Sequence, residues 1–280
     1  MSLKSFFSSF VLPLIAPLGA LCLWQWGSVS IDNEVVLPSV GQVAALLIHP
    51  TEDLLRMGSM ALNVWVSCVR VFGGYMAGLI LALPLGILMG HSKAANKLFT
   101  PLVEILRPMP PLAWIPLLLA WFGVASMATL LGVEEGEWYV FLNNIKFTML
   151  IVIFIGAFFP ILLNTIHGVA GVPAALIDSA RVLGASERDI FLKVLLPGAA
   201  PSIVTGMRLG LGGAWMCLVA AEMMPGSISG IGYLITHAYT VARTDIVMAG
   251  MISIGAMGLI IDMTFRAVEE RCFAWKRLAR

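Results

Sequence analysis

Several ionisable side chains stand within apolar segments of the sequence, and these are the residues best placed to do chemistry: Arg70, Glu104, Arg107, Arg208, Glu222 and Asp262. A charge in apolar surroundings is costly, so such residues either pair with one another or face a polar pathway. An arginine that faces a pathway would favour an anion, whereas paired or snorkelling charges would have structural roles only. The sequence leaves both alternatives open for each of these residues.

Other kinds of chemistry lack the residue patterns that they need. The four cysteines show no metal-ligand spacing, and the four histidines are scattered along the chain. No cluster of His, Asp or Ser has catalytic spacing, which argues against a membrane enzyme, and the chain contains no G-x-x-x-x-G-K-[ST] phosphate loop. We therefore expect no metal site, no cofactor and no catalytic residue in this chain.

The composition is that of an integral membrane protein. Of the 280 residues, 59% are hydrophobic and 12% are charged, and the mean hydropathy is +0.94, which excludes a soluble globular domain. The net charge is only +1, and we expect membrane lipid rather than nucleic acid around the protein. The apolar runs predict an all-α membrane protein with six spans of about 20 residues each: Phe6–Trp26, Val64–Met89, Thr100–Phe122, Phe147–Ile166, Ile203–Met223 and Ile246–Phe265.

Two parts of the chain are expected to differ in organisation. Residues 1–63 are predicted to hold the first span and an external amphipathic helix within a polar stretch. A cleaved signal peptide is the alternative for the first span, but the run is long and no convincing small-residue cleavage site follows it. Residues 64–280 are predicted to form a core of five spans with a polar elbow at residues 173–197.

Basic and acidic residues are distributed unequally between the two sides of the predicted bundle. Because loops rich in Lys and Arg stay on the cytoplasmic side, both termini are predicted to be cytoplasmic. The basic residues on that side are Lys4, His91, Lys93, Lys97, Arg181, Arg188, Lys193, Arg266, Arg271, Lys276, Arg277 and Arg280. The outer side holds Arg56 and Arg243, with Lys146 at the border, and collects Asp32, Glu34, Glu52, Asp53, Glu134, Glu135 and Glu137.

This orientation places Arg70, early in the second span, at a similar depth to Glu222, at the end of the fifth. We predict that the two side chains pair and help to hold an outer gate. The segment "RPMPPLAWIP" puts several prolines into the third span, where each removes a backbone donor. It predicts either a broken helix beside a substrate site or a kink needed only for packing. The candidate pathway residues are Arg70, Pro110, Pro111, Trp114, Arg208 and Glu222.

The polar elbow has the signals of two short helices that meet at an angle. Pro173 suits the first turn of a helix, and Gly184 suits a left-handed helix end. Ser186, with Asp189 three residues later, predicts a capping box that opens a second helix, and Pro197 is predicted to end it. Such a rigid knob could fit a groove in a partner. A solvated loop that packs only on its own bundle is the alternative.

The spacing in the elbow resembles the cytoplasmic signature of ATP-binding-cassette (ABC) importer permeases, which is Glu-Ala-Ala, three residues, Gly, nine residues, Ile, one residue and Leu-Pro. Here Asp178-Ser179-Ala180, Gly184, Val194 and Leu196-Pro197 stand at matching intervals. The blocks "RPMPPLAWIPLLLAWFG", "GAFFPILLNTIHGV" and "SGIGYLI" are similar to the nitrate/sulfonate/taurine branch of these permeases. Two features depart from that branch: Asp178-Ser179 replaces Glu-Ala, and the segment 125–144 is longer than its tight outer turn.

The resemblance implies a type I ABC importer permease that works in the cytoplasmic (inner) membrane of a bacterium or archaeon. The coupling residues would be Asp178, Ser179, Ala180, Arg181, Gly184, Ala185, Ser186, Val194, Leu196 and Pro197. The implied partners are a cytoplasmic ATPase dimer that holds ATP and Mg, a second permease copy, and an external or lipid-anchored binding protein. The implied cargo is a small oxyanion or organosulfonate. Import of a different small organic solute, and secondary transport without an ATPase, are the alternatives.

Overall fold

The computed structural model describes residues 12–272 of the chain. The start of the predicted first span at Phe6 lies outside the described residues. Lys4 and the basic residues Lys276, Arg277 and Arg280 lie outside them as well. Two isolated β-bridges accompany the helices in the described part of the chain.

Helices follow one another along the chain, in agreement with the predicted fold class. They are α1 (Leu12–Ile31), α2 (Val40–Ile48), α3 (Met60–His91), α4 (Lys93–Leu106), a 3₁₀ turn (Pro111–Trp114), α5 (Ile115–Phe122), α6 (Met127–Leu131), α7 (Glu137–Asn143), α8 (Phe147–Ala170), α9 (Ala174–Val182), α10 (Glu187–Asp189), a π-helical turn (Ile190–Leu195), α11 (Leu196–Glu222), α12 (Ile231–Thr240) and α13 (Thr244–Cys272).

The long apolar helices match most of the predicted spans. By length and composition, four helices of the described chain could cross a membrane, and these contain the predicted second, fourth, fifth and sixth spans: α3, α8, α10 to α11, and α13. The predicted third span is broken, because α4 and the Pro111–Phe122 segment meet at 81°. Counting this bent pair as one span gives five. The predicted first span, at the start of the chain, stays a prediction.

Close helix contacts at glycines hold α8 between α3 and α11. A Cβ atom added at Gly74 of α3 would come within 2.6 Å of Ile153, and one at Gly86 within 2.7 Å of Thr165. On the other side of α8, a Cβ atom at Gly210 of α11 would lie 2.7 Å from Ile161. Because glycine has no side chain, the three helices can approach closely at these positions, as is common in membrane bundles.

Two compact units can be distinguished. One comprises residues up to Val64 together with Ser229–Gly255, and the other comprises Trp65–Ile228 and residues from Ala256 onward. In the first unit, Trp24 Nε1 donates to the Pro38 carbonyl at 2.9 Å, and Asn63 Oδ1 accepts a 2.9 Å hydrogen bond from the Gly230 amide. The second unit contains all the candidate site residues.

The predicted amphipathic helix of the polar stretch corresponds to α2. Ser39 and Gln42 form a capping box at its start, in which each side chain accepts a hydrogen bond from the backbone amide of the other residue. Reciprocal capping of this kind satisfies two helix N–H groups that would otherwise lack partners.

Candidate functional site

The elbow begins with α9, which ends in a left-handed turn at Gly184. The Gly184 φ is +82°, a conformation that favours glycine. The Ala185 amide donates to the Ala180 carbonyl at 3.0 Å, and the Gly184 amide donates to the Arg181 carbonyl at 2.9 Å. These two hydrogen bonds form a Schellman motif, which satisfies the last carbonyls of the helix. The predicted left-handed end at Gly184 is therefore confirmed.

An exposed ion pair braces the two halves of the elbow across this turn. Arg181 Nε and Nη2 donate to the two carboxylate oxygens of Glu187, at 3.1 and 3.4 Å. The hydrogen bond to Glu187 raises the pKa of Arg181 above its ordinary value. Asp178 Oδ1 lies 3.6 Å from Arg181 Nη1, and Ser179 Oγ donates to the Ala175 carbonyl at 2.7 Å. The acidic and small residues of the signature thus support the local shape of the elbow.

The second half of the elbow differs from the prediction at its end. Ser186 caps the new helix, since its Oγ accepts from the Asp189 amide at 3.2 Å and donates to the Asp189 carboxylate at 2.5 Å. The predicted stop at Pro197 is wrong. The helix passes through a π-helical turn that contains Val194 and continues through Leu196 and Pro197 as α11. A proline near the start of a helical segment removes few hydrogen bonds, and a π turn locally alters the bonding pattern before it.

A small hydrophobic cluster attaches the elbow to the bundle, while its tip is free. Val169 and Val172 at the end of α8 pack with Leu195 and Ala199, and Ile177 of α9 packs against them. At the tip, the side chains of Val182 and Leu183 are 88% and 87% exposed. Two adjacent apolar side chains exposed on a braced turn suit insertion into a groove of a partner protein.

Arg70 and Glu222 form the predicted pair. The Arg70 Nη1 to Glu222 Oε1 distance is 2.5 Å, and the two side chains are only 1% and 0% exposed. The Ser67 hydroxyl lies 2.9 Å from both Glu222 carboxylate oxygens, and Arg70 Nε donates to the Asn144 carbonyl at 2.9 Å. Full burial of an ion pair requires such additional hydrogen bonds to offset the lost hydration. This group joins α3 to the end of α11.

Arg208 lies between carboxylates of α13. Its Nε is 3.8 Å from Asp262 Oδ1, and its Nη1 is 3.6 Å from Glu269 Oε2. The Nε atom is buried and has no hydrogen-bond partner among the described residues. Arg266 Nε forms an ion pair with the other carboxylate oxygen of Asp262, Oδ2, at 2.7 Å. Two arginines and two carboxylates therefore balance one another here, and the cluster carries no excess positive charge.

The broken third span borders a cavity of about 450 Å³. Pro111, at the start of the 3₁₀ turn, lines this cavity, and Pro110 precedes the turn as its N-cap. Irregular backbone at membrane depth is tolerated where it lines a cavity or is covered by protein. The structure therefore has a break beside a cavity, and the prediction that a substrate site lies there stays a prediction. The lining residues are Arg107, Met109, Pro111, Ile155, Gly156, Phe159, Pro160, Leu163, Asn164 and His167.

Trp114 belongs to a different environment from Pro111. It packs against the buried cluster of Ile115, Leu118, Met149, Val152 and Ala221. It also lines an apolar cavity of about 270 Å³ whose walls include Phe99, Phe154, Phe158 and Phe159. Among the residues that line this second cavity none is charged. The structure thus brings Pro111 to a partly polar cavity and Trp114 to an apolar one.

The long segment 125–144 is closed at its base. The Met127 amide donates to the Ile145 carbonyl at 2.9 Å, and the Phe147 amide donates to the Ala125 carbonyl at 3.0 Å. Between these points lie the short helices α6 and α7. Burial lowers the pKa of Lys146 below its ordinary value, and the nearby Arg70 charge lowers it further. Residues 125–144 therefore form a loop that two backbone hydrogen bonds close at its base, next to the buried ion pair; we call it the pinned excursion.

The polar residues of the larger cavity were anticipated only in part. Arg107 was among the charges for which a pathway role stayed open, whereas Asn164 and His167 received no role. A signal was available, because Pro160, Leu163, Asn164 and His167 repeat at helical spacing and so share one face of α8. The position of the break opposite that face could not be read from the sequence.

Comparison with known proteins places the chain in a family. Residues 76–273 match the family described as binding-protein-dependent transport system inner membrane component. The chain is 45% identical over 279 residues to a protein of Methanocaldococcus jannaschii named as an ABC transporter permease, with 100% of this chain and 97% of that protein covered. It is 33% identical to the aliphatic sulfonates transport permease of Bacillus subtilis, over 94% of this chain and 87% of that protein.

The chain is also similar to a further relative, whose name gives its cargo, and to a solved structure. The bicarbonate transport system permease of Synechococcus elongatus is 33% identical, over 90% of this chain and 85% of that protein. Inward-facing structures of the MetNI methionine ABC transporter include a chain that matches with a TM-score of 0.56 at 19% identity, over 75% of this chain and 95% of that chain. This likeness shows a common fold. Since the family match covers well over half of its residues, this chain belongs to the binding-protein-dependent transport system inner membrane components, the permeases of ABC importers.

Proposed function

We propose that this permease forms the translocation path for a small oxyanion or organosulfonate in the cytoplasmic membrane of a bacterium or archaeon. Two relatives named for sulfonates and bicarbonate support an anionic cargo. Two copies of the chain surround the path, an external binding protein delivers the cargo, and a separate ATPase dimer binds ATP and Mg on the cytoplasmic side. Family membership argues against secondary transport without an ATPase.

The observation that carries the coupling part of this proposal is the geometry of the elbow. Its tip is apolar and exposed, its turn is braced by Arg181 and Glu187, and its base is packed on α8 and α11. A knob of this kind can be gripped at the tip and can pass a displacement to the helices at its base. Closure of the ATPase dimer would then move the inner ends of both helices together and change which side of the membrane the path faces.

Gly184→Val tests the elbow in the assembled complex. A Cβ atom at Gly184 meets nothing within 4 Å, so the substitution acts only through the left-handed φ of +82°. The expected strain is about 1–2 kcal/mol, which the turn relieves by changing its angle. We expect the complex to assemble but to lose most of the stimulation of ATP hydrolysis by the loaded binding protein, together with ATP-driven uptake.

Gly132→Val is the matched control. Gly132 also has a left-handed φ, of +66°, and open space around it, but it lies in the pinned excursion far along the chain from the elbow. Its substitution carries the same backbone strain and should leave stimulation and uptake near the wild-type level. Equal coupling in the two variants, with both complexes intact, would show that the elbow does not transmit the motion.

A further inference from the structure

The cavity at the broken span combines an arginine, a histidine and an amide on a wall that is otherwise apolar. Arg107 enters from the end of α4, whereas Asn164 and His167 come from one face of α8. Among the described residues that line the cavity, none is an aspartate or a glutamate. The cavity wall therefore presents hydrogen-bond donors and a positive charge, and no carboxylate among its lining residues neutralises them.

Arg107 differs in this respect from the other arginines considered for the pathway. Arg70 is occupied by Glu222, and Arg208 lies between Asp262 and Glu269. Arg107 is exposed and forms no ion pair with any residue in the part of the chain that the structure describes, although Glu104 lies one turn earlier. Arg107 lies within the predicted third span, and an arginine without an acidic partner in a membrane span is a binding-site candidate for an anion.

The two α8 side chains can complete such a site. Asn164 Nδ2 donates one hydrogen to the Pro160 carbonyl at 2.8 Å, which fixes the amide and leaves its second N–H for a ligand. The His167 ring carries an N–H donor in either neutral tautomer. Charged and neutral donors that converge on a small group of oxygens are the usual means of binding an oxyanion.

The rest of the wall indicates what is attached to the anionic group. Met109, Phe159 and Leu163 line the same cavity, and its volume of about 450 Å³ exceeds what a bare inorganic oxyanion requires. We propose that this cavity binds the transported solute as a small organic oxyanion. Its sulfonate or similar group lies at Arg107, Asn164 and His167, and its carbon chain contacts the apolar wall. This inference rests on the proposed function and names the cargo contacts within it.

The test uses the complex of permease, ATPase and binding protein in liposomes, with ethanesulfonate and taurine as organic probes and nitrate and bicarbonate as inorganic ones. For a probe that the wild-type complex takes up, Arg107→Gln should lower uptake at least about tenfold, the loss expected for one charge-assisted hydrogen bond. Arg107→Lys should retain part of the uptake, because it keeps the positive charge but loses the planar, bidentate donor geometry. Lys97→Gln removes the same charge from α4 outside the cavity and should have no effect.

A second measurement separates this inference from the proposed function. Thermal unfolding of the permease–ATPase complex is followed without binding protein, with and without each probe. Ethanesulfonate should raise the unfolding temperature more than nitrate does, and Arg107→Gln and His167→Gln should abolish the increase. A wild-type complex without ATP-driven uptake would refute the proposed function, and the unfolding measurement would still decide whether the cavity binds an anion.

Two results would overturn the cavity proposal. One is wild-type uptake together with a wild-type thermal shift in Arg107→Gln. The other concerns the phosphate of a lipid headgroup, which shares the chemistry of the proposed ligand. If phosphatidylglycerol stabilises the complex through Arg107 while uptake by Arg107→Gln is normal, the site binds lipid and not cargo.

Discussion

Replacing Arg70 with alanine should leave Glu222 as a buried carboxylate without its cation. Both side chains are almost completely buried, at 1% and 0% exposure. Removal of one partner from a buried pair costs about 3–5 kcal/mol, because the remaining charge keeps its desolvation penalty. The Ser67 hydroxyl still hydrogen-bonds to the carboxylate. We therefore expect a loss in the lower part of that range, about 3 kcal/mol.

Adding Glu222→Gln to Arg70→Ala should recover most of this loss. The amide has nearly the shape of the carboxylate but carries no charge, so the penalty that follows from an unpaired ion disappears. The free energy of unfolding of the double variant should lie within about 1–2 kcal/mol of the wild-type value. The effects of the two substitutions should therefore not add, as they would for independent sites. Uptake should nevertheless stay low, because the proposed outer gate has lost both of its charges.

The assay is thermal unfolding of the permease–ATPase complex in detergent, combined with uptake in liposomes. Arg266→Ala provides the control, since its ion pair with Asp262 joins side chains that are 65% and 38% exposed. Exposed pairs of this kind contribute about 0–1 kcal/mol. If the double variant is no more stable than Arg70→Ala alone, Glu222 is not the residue that Arg70 neutralises, and the gate hypothesis loses its basis.

Two further predictions concern packing and orientation. Gly210→Ala should destabilise the complex by about 1–3 kcal/mol through overpacking, because its Cβ atom would lie 2.7 Å from Ile161. Gly212 is on the same helix, but a Cβ atom there meets nothing within 4 Å, so Gly212→Ala should be neutral or stabilising. Equal effects of the two substitutions would contradict the close packing of α8 on α11. In a variant whose four native cysteines are replaced by serine, Glu135→Cys should react with an impermeant thiol reagent added outside intact cells and Glu187→Cys should not. The opposite labelling pattern would reverse the predicted orientation.

Local signals made the elbow predictable. The Gly184 turn depends on hydrogen bonds among residues 180–185, and the Ser186 cap depends on a residue three positions away. Such motifs are encoded within one or two turns of chain. The end at Pro197 was wrong because proline marks a helix stop only on average. In the structure a π turn precedes Pro197, and Leu195 of that turn packs against Val169 of α8, a contact that a linear pattern does not contain.

The cost of a charge in apolar surroundings predicted one contact between distant residues but did not define the role of another charged residue. Arg70 and Glu222 are separated by 152 positions, yet the cost of an isolated charge and their common predicted depth were sufficient to pair them. The same cost applies to Arg107, but it did not distinguish a pathway role from a structural one. Its significance depends on what is absent from its surroundings, namely a carboxylate, and on the face of α8 that lies opposite. Both are properties of the folded bundle.

The elbow packs against α8 and the cavity is lined by α8, so the two proposals concern the same helix. Val169 at the end of α8 and Val172 just beyond it pack against the elbow, and His167 and Asn164, which line the cavity, precede Val169 on the same helix. Glycine contacts on both sides of α8 leave little room for it to bend, so displacement at its inner end moves these donors as well. Arg107 belongs to a different helix, α4. We therefore expect a change at the elbow to alter the distance between Arg107 and His167, and with it the affinity for an anion. Spin labels placed at Lys97 and Ala170 would measure that change when ATP is added.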